Sequence, residues 1–365
     1  MLTISILSVA CLALGGVNAA AIDRRDVVSD ANIKNIVVFG DSFSDNGNVL
    51  KFSGVPRAPY FEGRFSNGPN YVDYLAKSLN GPVVINNAYG GAVADRKLLP
   101  DGAKAKNGTF PPDINEQLAA YLANNTVYPD PKTSLYPIFI GVNDYFQTLG
   151  AQAIPKPATV ATAVIDFIKK LRASPLKVER IVVLQLPDFG QAPAISRSAN
   201  ATGQDKALVQ ALATSISTQH NALLLKGIEE IRATDAGLHI DTVDLVALIK
   251  GIQAIPDKGG FTNFNSPCLT LKAGANVTSP ELSRNASNVI VCDKPDEYLY
   301  WDNLHPTTHG HRRVAEATFA AVTANLTAGP SSGNETSLQN GAIHARAGTA
   351  SVFVSAVVAS VFLLL

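Results

Sequence analysis

Net charge and sulfur are both scarce in this chain. Its 365 residues carry 30 Lys+Arg against 30 Asp+Glu, a formal net charge of zero. Such a balance offers no basic field to gather a phosphate backbone, which argues against nucleic acid as a partner. There is no acidic tail and no internal repeat. Of the 3 cysteines, Cys11 falls in an N-terminal apolar stretch. Cys268 and Cys292 remain, too few for a disulfide-dense scaffold but enough for one bridge in an oxidising compartment. Their bridge is worth about 3 kcal/mol in a chain-entropy estimate. A long spanning run is also missing. A membrane helix needs about 20 apolar residues, and the C-terminal run Ala350 to Leu365 has 16.

What is present at the two ends reads as processing. Met1 to Leu14 is apolar and is followed by the small residues of "GGVNAAA". This reads as a signal peptide over residues 1–20, without a basic n-region; a buried first helix is the competing reading. "RRD" at Arg24 to Asp26 reads as a charged linker or a dibasic cleavage site. From 327 to 348 the composition turns to Gly, Ser, Asn and Thr, a flexible stalk. Residues 349–365, preceded by the small Asn340, Gly341 and Ala342 and a polar spacer, fit a glycosylphosphatidylinositol attachment signal. A tail anchor or a hydrophobic C-terminal helix is the alternative. The expectation is therefore a secreted protein held at the membrane or wall by a lipid anchor. Sequons at Asn107, Asn124, Asn200, Asn276, Asn285, Asn325 and Asn334 are consistent with that route.

The body, residues 21–326, reads as one α/β domain. Five short runs rich in β-branched residues are expected strands: 36–39, 83–86, 135–140, 180–186 and 239–244. Four are nearly continuous apolar runs, as strands buried on both faces should be. Helical spacing of apolar residues occupies 70–79, 113–123, 158–173, 205–233 and 309–326. The alternation implies a parallel five-stranded sheet in a three-layer α/β/α sandwich. Lys250 to Tyr300 is irregular, contains both remaining cysteines, and reads as an insertion. Ligands of such sheets bind beyond the carboxyl ends of the strands.

Polar clusters fall at that edge. "FGDSFSDNGN" (39–48) follows the first strand, "NNAYGGA" (86–92) the second and "GVND" (141–144) the third; "WDNLHPTTHGH" (301–311) follows the insertion. Their chemistry suits ester hydrolysis. Ser42 is a weak nucleophile until a base takes its proton. His305 supplies one, with Asp302 three residues earlier to hold its tautomer. The Ser42 N–H, a glycine N–H and the Asn143 amide are candidate donors to an oxyanion. Ser44 reads as a helix cap or turn residue, and Asp41, Asp45 and Asn46 as braces of the turn. Asp144 reads as a support for Asn143 or a plain turn residue. His305, His309 and His311 with Asp302 also admit a metal reading, but no other His or Cys cluster completes a shell. "PYFEGRF" (59–65) and "GGFTNF" (259–264) read as pocket lining or as packing under a loop.

In this order the blocks resemble those of the SGNH hydrolases, also called the GDSL esterase/lipase family. "GRFSNGPNYVDYLA" (63–76) further resembles secreted fungal and bacterial members of the lipase/acylhydrolase type. The resemblance runs from about Ile33 to Asn325. It implies a flavodoxin-like fold, an acyl-enzyme mechanism and no cofactor. It marks Ser42 as nucleophile, Asp302 and His305 as its partners, and Ser42, Gly91 and Asn143 as the oxyanion hole, with Gly90 the alternative register to Gly91. Phe43 stands where the motif has leucine. The substrate expected is a lipid acyl ester or an acetylated carbohydrate. A surface adhesin or carbohydrate-binding protein on a non-catalytic hydrolase fold is the alternative. Oligomeric state is not legible.

Overall fold

The computed structural model describes residues 32–99, 110–147, 154–276 and 279–327. The signal peptide, the anchor signal, all of the stalk beyond Thr327, and Asn107 and Asn334 lie outside these residues. Five strands form the central sheet: β1 (Asn35–Gly40), β2 (Val83–Asn86), β3 (Ser134–Phe139), β4 (Arg180–Leu184) and β5 (His239–Val243). Their order is β2-β1-β3-β4-β5 and every pairing is parallel. Ile36 pairs with Val84 on one side and Leu135 on the other, and the register continues through Tyr136–Ile181 to Ile181–Ile240. Chain direction across the sheet reverses between β1 and β3, so the loops that follow them diverge and leave a crevice there.

Nine helices are described: α1 (Asn48–Ser53), α2 (Tyr71–Ser78), α3 (Ile114–Asn124), α4 (Val142–Phe146), α5 (Pro157–Ala173), α6 (Pro193–Thr202), α7 (Lys206–Thr234), α8 (Leu245–Ala254) and α9 (Thr308–Thr327). α2 and α9 pack together on one face of the sheet; α3, α5 and α7 pack together on the other. Helix starts follow local chemistry. Asn70 and Asp73 form a reciprocal capping box on α2, as Asp113 and Glu116 do on α3. Asp205 accepts from Ala207 and Leu208 to cap α7, and Pro157 opens α5.

The core runs through the inner strands. Ile36 to Phe39 are fully buried, and Phe39 packs edge-on against Tyr121 of α3 and Phe167 of α5. The outer strand differs from expectation. β2 has a neighbour on one side alone, and Val83 is 62% exposed. No described helix is long and apolar enough to cross a membrane.

The segment expected to be an irregular insertion holds more order than its composition suggests. α8 extends into it as far as Ala254, and four short strands follow. β6 (Asn263–Pro267) pairs in parallel with β9 (Tyr298–Tyr300), and β7 (Leu269–Leu271) pairs antiparallel with β8 (Val289–Val291). Cys268 and Cys292 are disulfide-bonded at the open end of the β7–β8 pair. The insertion is tied to what comes next: Cys268 N–H donates to Tyr300 O (3.0 Å) and Leu269 N–H to Trp301 O (2.6 Å). Asn124, Asn200, Asn276 and Asn285 are exposed, and Asn325 lies on α9.

Candidate active site

β1 delivers the chain into a tight turn at the crevice. Ser44 and Asp45 N–H both donate to Asp41 O at 3.0 Å, and Phe43 N–H donates to the Asp41 carboxylate at 3.0 Å. These bonds fix Ser42 at the apex. Phe43 turns back inside, its ring 4.4 Å from Phe139 and 4.8 Å from His311. With Leu248, Ile252, Leu304 and Val314 it lines an apolar cavity of about 40 Å³. Ser44 is not a helix cap: it is buried, its hydroxyl 3.0 Å from Tyr71 OH, and Gly47 occupies the N-cap of α1.

The far end of the chain meets Ser42 here. His305 Nε2 lies 2.8 Å from Ser42 Oγ, across 263 positions of sequence. His305 Nδ1 lies 2.8 and 2.9 Å from the two Asp302 oxygens. The spacing of three works because Asp302 also caps its own loop, accepting from Leu304 and His305 N–H at 2.8 Å each. One side chain that the sequence reading offered as pocket lining or packing joins the array instead: Tyr60 OH donates to Asp302 Oδ2 at 2.7 Å. Phe65 lies against the His305 ring at 4.9 Å. So both aromatics of "PYFEGRF" that reach the loop pack on it and hold it.

The glycine and asparagine blocks close the other side. Gly90 N–H donates to Asp45 at 2.7 Å, and a Cβ on Gly90 would stand 2.3 Å from the Phe65 ring. Gly91 has φ +83°, a conformation that strains any L side chain. Among the described residues, no acceptor meets the N–H of Gly91 or of Ser42. Of the two registers, Gly91 therefore has the available donor. Asn143 opens α4; its amide donates to Ala92 O at 2.9 Å, with a second, long contact of 3.5 Å to Asp41. Asp144 accepts from Ala94 N–H at 2.9 Å, clasping the same loop from the opposite side to Asp45.

Four buried carboxyls surround Ser42, and they fall into two kinds. Burial pushes Asp41 and Asp144 up to about 7 and Asp45 up to about 6. Burial presses on Asp302 as well, but the facing His305 and the N–H donors of its loop outweigh it and hold that carboxyl below the usual range. His311, buried under Phe43, is pushed down to about 3. The histidines near the site do not converge on an ion. His309 Nδ1 bonds Asp296 O (2.7 Å) while its ring stacks on Phe261 at 4.3 Å. Among the described residues, no group of three or more His, Cys, Asp or Glu is arranged to hold a metal.

A buried Ser–His–Asp array with a row of N–H donors beside it is built to attack an electrophilic carbonyl. A family model described as GDSL-like Lipase/Acylhydrolase matches residues 36–318. The chain is 28% identical over 291 residues to the thermolabile hemolysin of Vibrio parahaemolyticus, covering 78% of this chain. It spans 62% of the hemolysin's length. It is 27% identical over 352 residues to the phosphatidylcholine-sterol acyltransferase of Aeromonas hydrophila, covering 85% of this chain and 96% of that one. Among solved structures, one described as a GDSL-like lipase from Parabacteroides merdae is 18% identical, covers 80% of this chain and 98% of that one, and superposes with a TM-score of 0.43.

Proposed function

The chain belongs to the GDSL lipase/acylhydrolase family, a family of carboxylic ester hydrolases, and from that premise we propose that it is a serine hydrolase working through an acyl-enzyme. The observation that carries this reading is the continuous hydrogen-bonded array of Ser42, His305 and Asp302, with 2.8 Å at each junction. In the proposed cycle His305 Nε2 takes the Ser42 proton as Oγ attacks the ester carbonyl. The oxyanion receives the Ser42 and Gly91 N–H groups and the Asn143 amide hydrogen whose contact to Asp41 is long. His305 then protonates the departing alcohol. It next draws a proton from water, which attacks the acyl-enzyme, and it returns that proton to Ser42 Oγ as the acid leaves. Asp302, fixed by its loop, keeps the Nδ1–H tautomer and stabilises the imidazolium throughout.

Similarity to a phosphatidylcholine-sterol acyltransferase supports lipid acyl esters over acetylated carbohydrate as the substrate class. An extracellular, anchored location, with residues 1–20 and 349–365 removed during maturation, suits an enzyme acting on external lipid. Release from membranes by phosphatidylinositol-specific phospholipase C tests that placement; retention after complete digestion defeats it.

Ser42→Ala tests the mechanism. Turnover of p-nitrophenyl butyrate should fall by about 10⁴-fold or more with the melting temperature held. Activity near wild type in that variant would sink the assignment. Fluorophosphonate labelling of wild type but not of Ser42→Ala separates an enzyme from a binding protein on a retired fold. A chain-length series of esters, run beside acetylated xylan, then decides the substrate class.

A further inference from the structure

Tyr60 lies 242 positions from Asp302, in a segment read from sequence as pocket lining or packing, and its hydroxyl donates to Asp302 Oδ2 at 2.7 Å. The residue is 4% exposed, its ring edge-on to Trp301 at 6.0 Å and to Phe65 at 6.3 Å. This packing leaves the phenol one orientation. The two Asp302 oxygens are served differently. Oδ1 receives the Leu304 and His305 N–H groups, which belong to the carboxylate's own loop, and lies 2.9 Å from His305 Nδ1. Oδ2 receives His305 Nδ1 and a donor from a distant segment, Tyr60. The oxygen closest to the imidazole is thus shared with a phenol.

Resting on the serine-hydrolase reading above, we propose that Tyr60 is a positioning residue that extends the array to Tyr60–Asp302–His305–Ser42 and sets how strongly Asp302 acts on His305. Two effects follow from the geometry. The phenol fixes the plane of the carboxylate, so that its two oxygens keep their places beside Nδ1. It also draws negative charge toward itself, which moderates the pull of Asp302 on the imidazolium. Tyr60 acts through Asp302, the group its hydroxyl bonds, and does not handle the substrate.

The other titratable groups that act on His305 sit on different elements: Asp41 on the nucleophile turn and His311 on α9. On the Tyr60 side the packed neighbours are the aromatic Phe65 and Trp301. A change at Tyr60 therefore reaches His305 through Asp302 and leaves the fields of Asp41 and His311 in place.

The test uses the full chain, p-nitrophenyl acetate, and the pH profile of kcat/KM for wild type, Tyr60→Phe and Tyr60→3-fluorotyrosine. Removing the donor leaves the Asp302 charge unshared, which favours the imidazolium. Tyr60→Phe should lower kcat about three- to tenfold with KM little changed, and move the acid limb up by roughly half a pH unit or more. The fluorinated phenol is a stronger donor of nearly the same size and should move that limb down. Acid limbs of both variants that coincide with wild type overturn the proposal, whatever happens to the melting temperature. Ser42→Ala is run in parallel. If it retains turnover, the serine reading has failed; if it is inactive while the limbs coincide, the role of Tyr60 alone has failed.

Discussion

Two regions meet at Ser42 and treat buried carboxylates in opposite ways. On the nucleophile side, Asp41, Asp45 and Asp144 brace turns through backbone N–H groups, and burial lifts all three toward neutrality. On the histidine side, Asp302 is equally buried yet lies below the usual range. N–H bonds alone do not make the difference. Asp45 accepts from Gly47, Asn48, Val49 and Gly90 and is still raised. What Asp302 has in addition is an ionisable partner, His305, in direct contact. Neutral donors are enough to shape a turn. A facing ionisable imidazole is what holds Asp302 low, so the two sides suit different work: scaffolding on one, electrostatics on the other.

The comparison breaks most visibly by mutation of one carboxylate from each side. Asp302→Asn should reduce kcat/KM by about 10³-fold, because the amide cannot hold the same histidine tautomer. Asp41→Asn should lose less than tenfold, since its side chain already works as a near-neutral brace. Similar losses from both, measured on p-nitrophenyl butyrate, would erase the distinction.

The next effect concerns how the histidine loop is held. The bridge between Cys268 and Cys292 spans 24 residues and is bonded through Tyr300 and Trp301 to the start of that loop. The double variant Cys268→Ala/Cys292→Ala should lose about 3 kcal/mol in urea unfolding. Its activity at temperatures below the transition should fall as well. A loss under about 1 kcal/mol would show that the insertion stands without its staple.

The smallest effect tests the apolar ground between the two regions. His311 is buried, and no partner is recorded for its Nδ1 among the described residues. Its pKa falls from 6.5 unfolded to about 3 folded. As pH drops through that window the unfolded chain binds a proton that the native chain refuses, so stability is lost toward acid; above the window there is no penalty. His311→Phe should therefore gain about 2 kcal/mol more at pH 5 than at pH 8. Equal changes at the two pH values would mean that folding leaves the His311 pKa at its unfolded value.

Much of this was open to reading before any coordinates. Buried parallel strands must be apolar on both faces, so β1, β3 and β4 announce themselves as runs such as "IVVF" and "RIVVL". The polar blocks after them are short, ordered along the chain and chemically complete, and the structure brings Ser42, Asp302 and His305 into contact where those blocks predicted. α4, with five residues, is too short to show a period. α8, "LVALIKGIQA", is apolar on most sides and lies where a strand pattern fades into the insertion. Tyr60 was legible as pocket lining or packing within "PYFEGRF", but its bond to Asp302 was not. Nothing in spacing or composition links position 60 to position 302; the link exists only because the β6–β9 insertion and Trp301 bring the two together.

The ties across the histidine loop set an order in time as well as in space. Ser66 donates to Pro306 O, and Asn67 and Pro69 accept from Thr308, each over some 240 positions. A growing chain that has displayed Ser42 for most of its synthesis still has no base beside it. Only when residues beyond 305 emerge and settle onto the segment between 60 and 74 does the serine gain a base. The contact between Ser42 and His305 is thus among the last that the folded body can form, long after its sheet could have assembled.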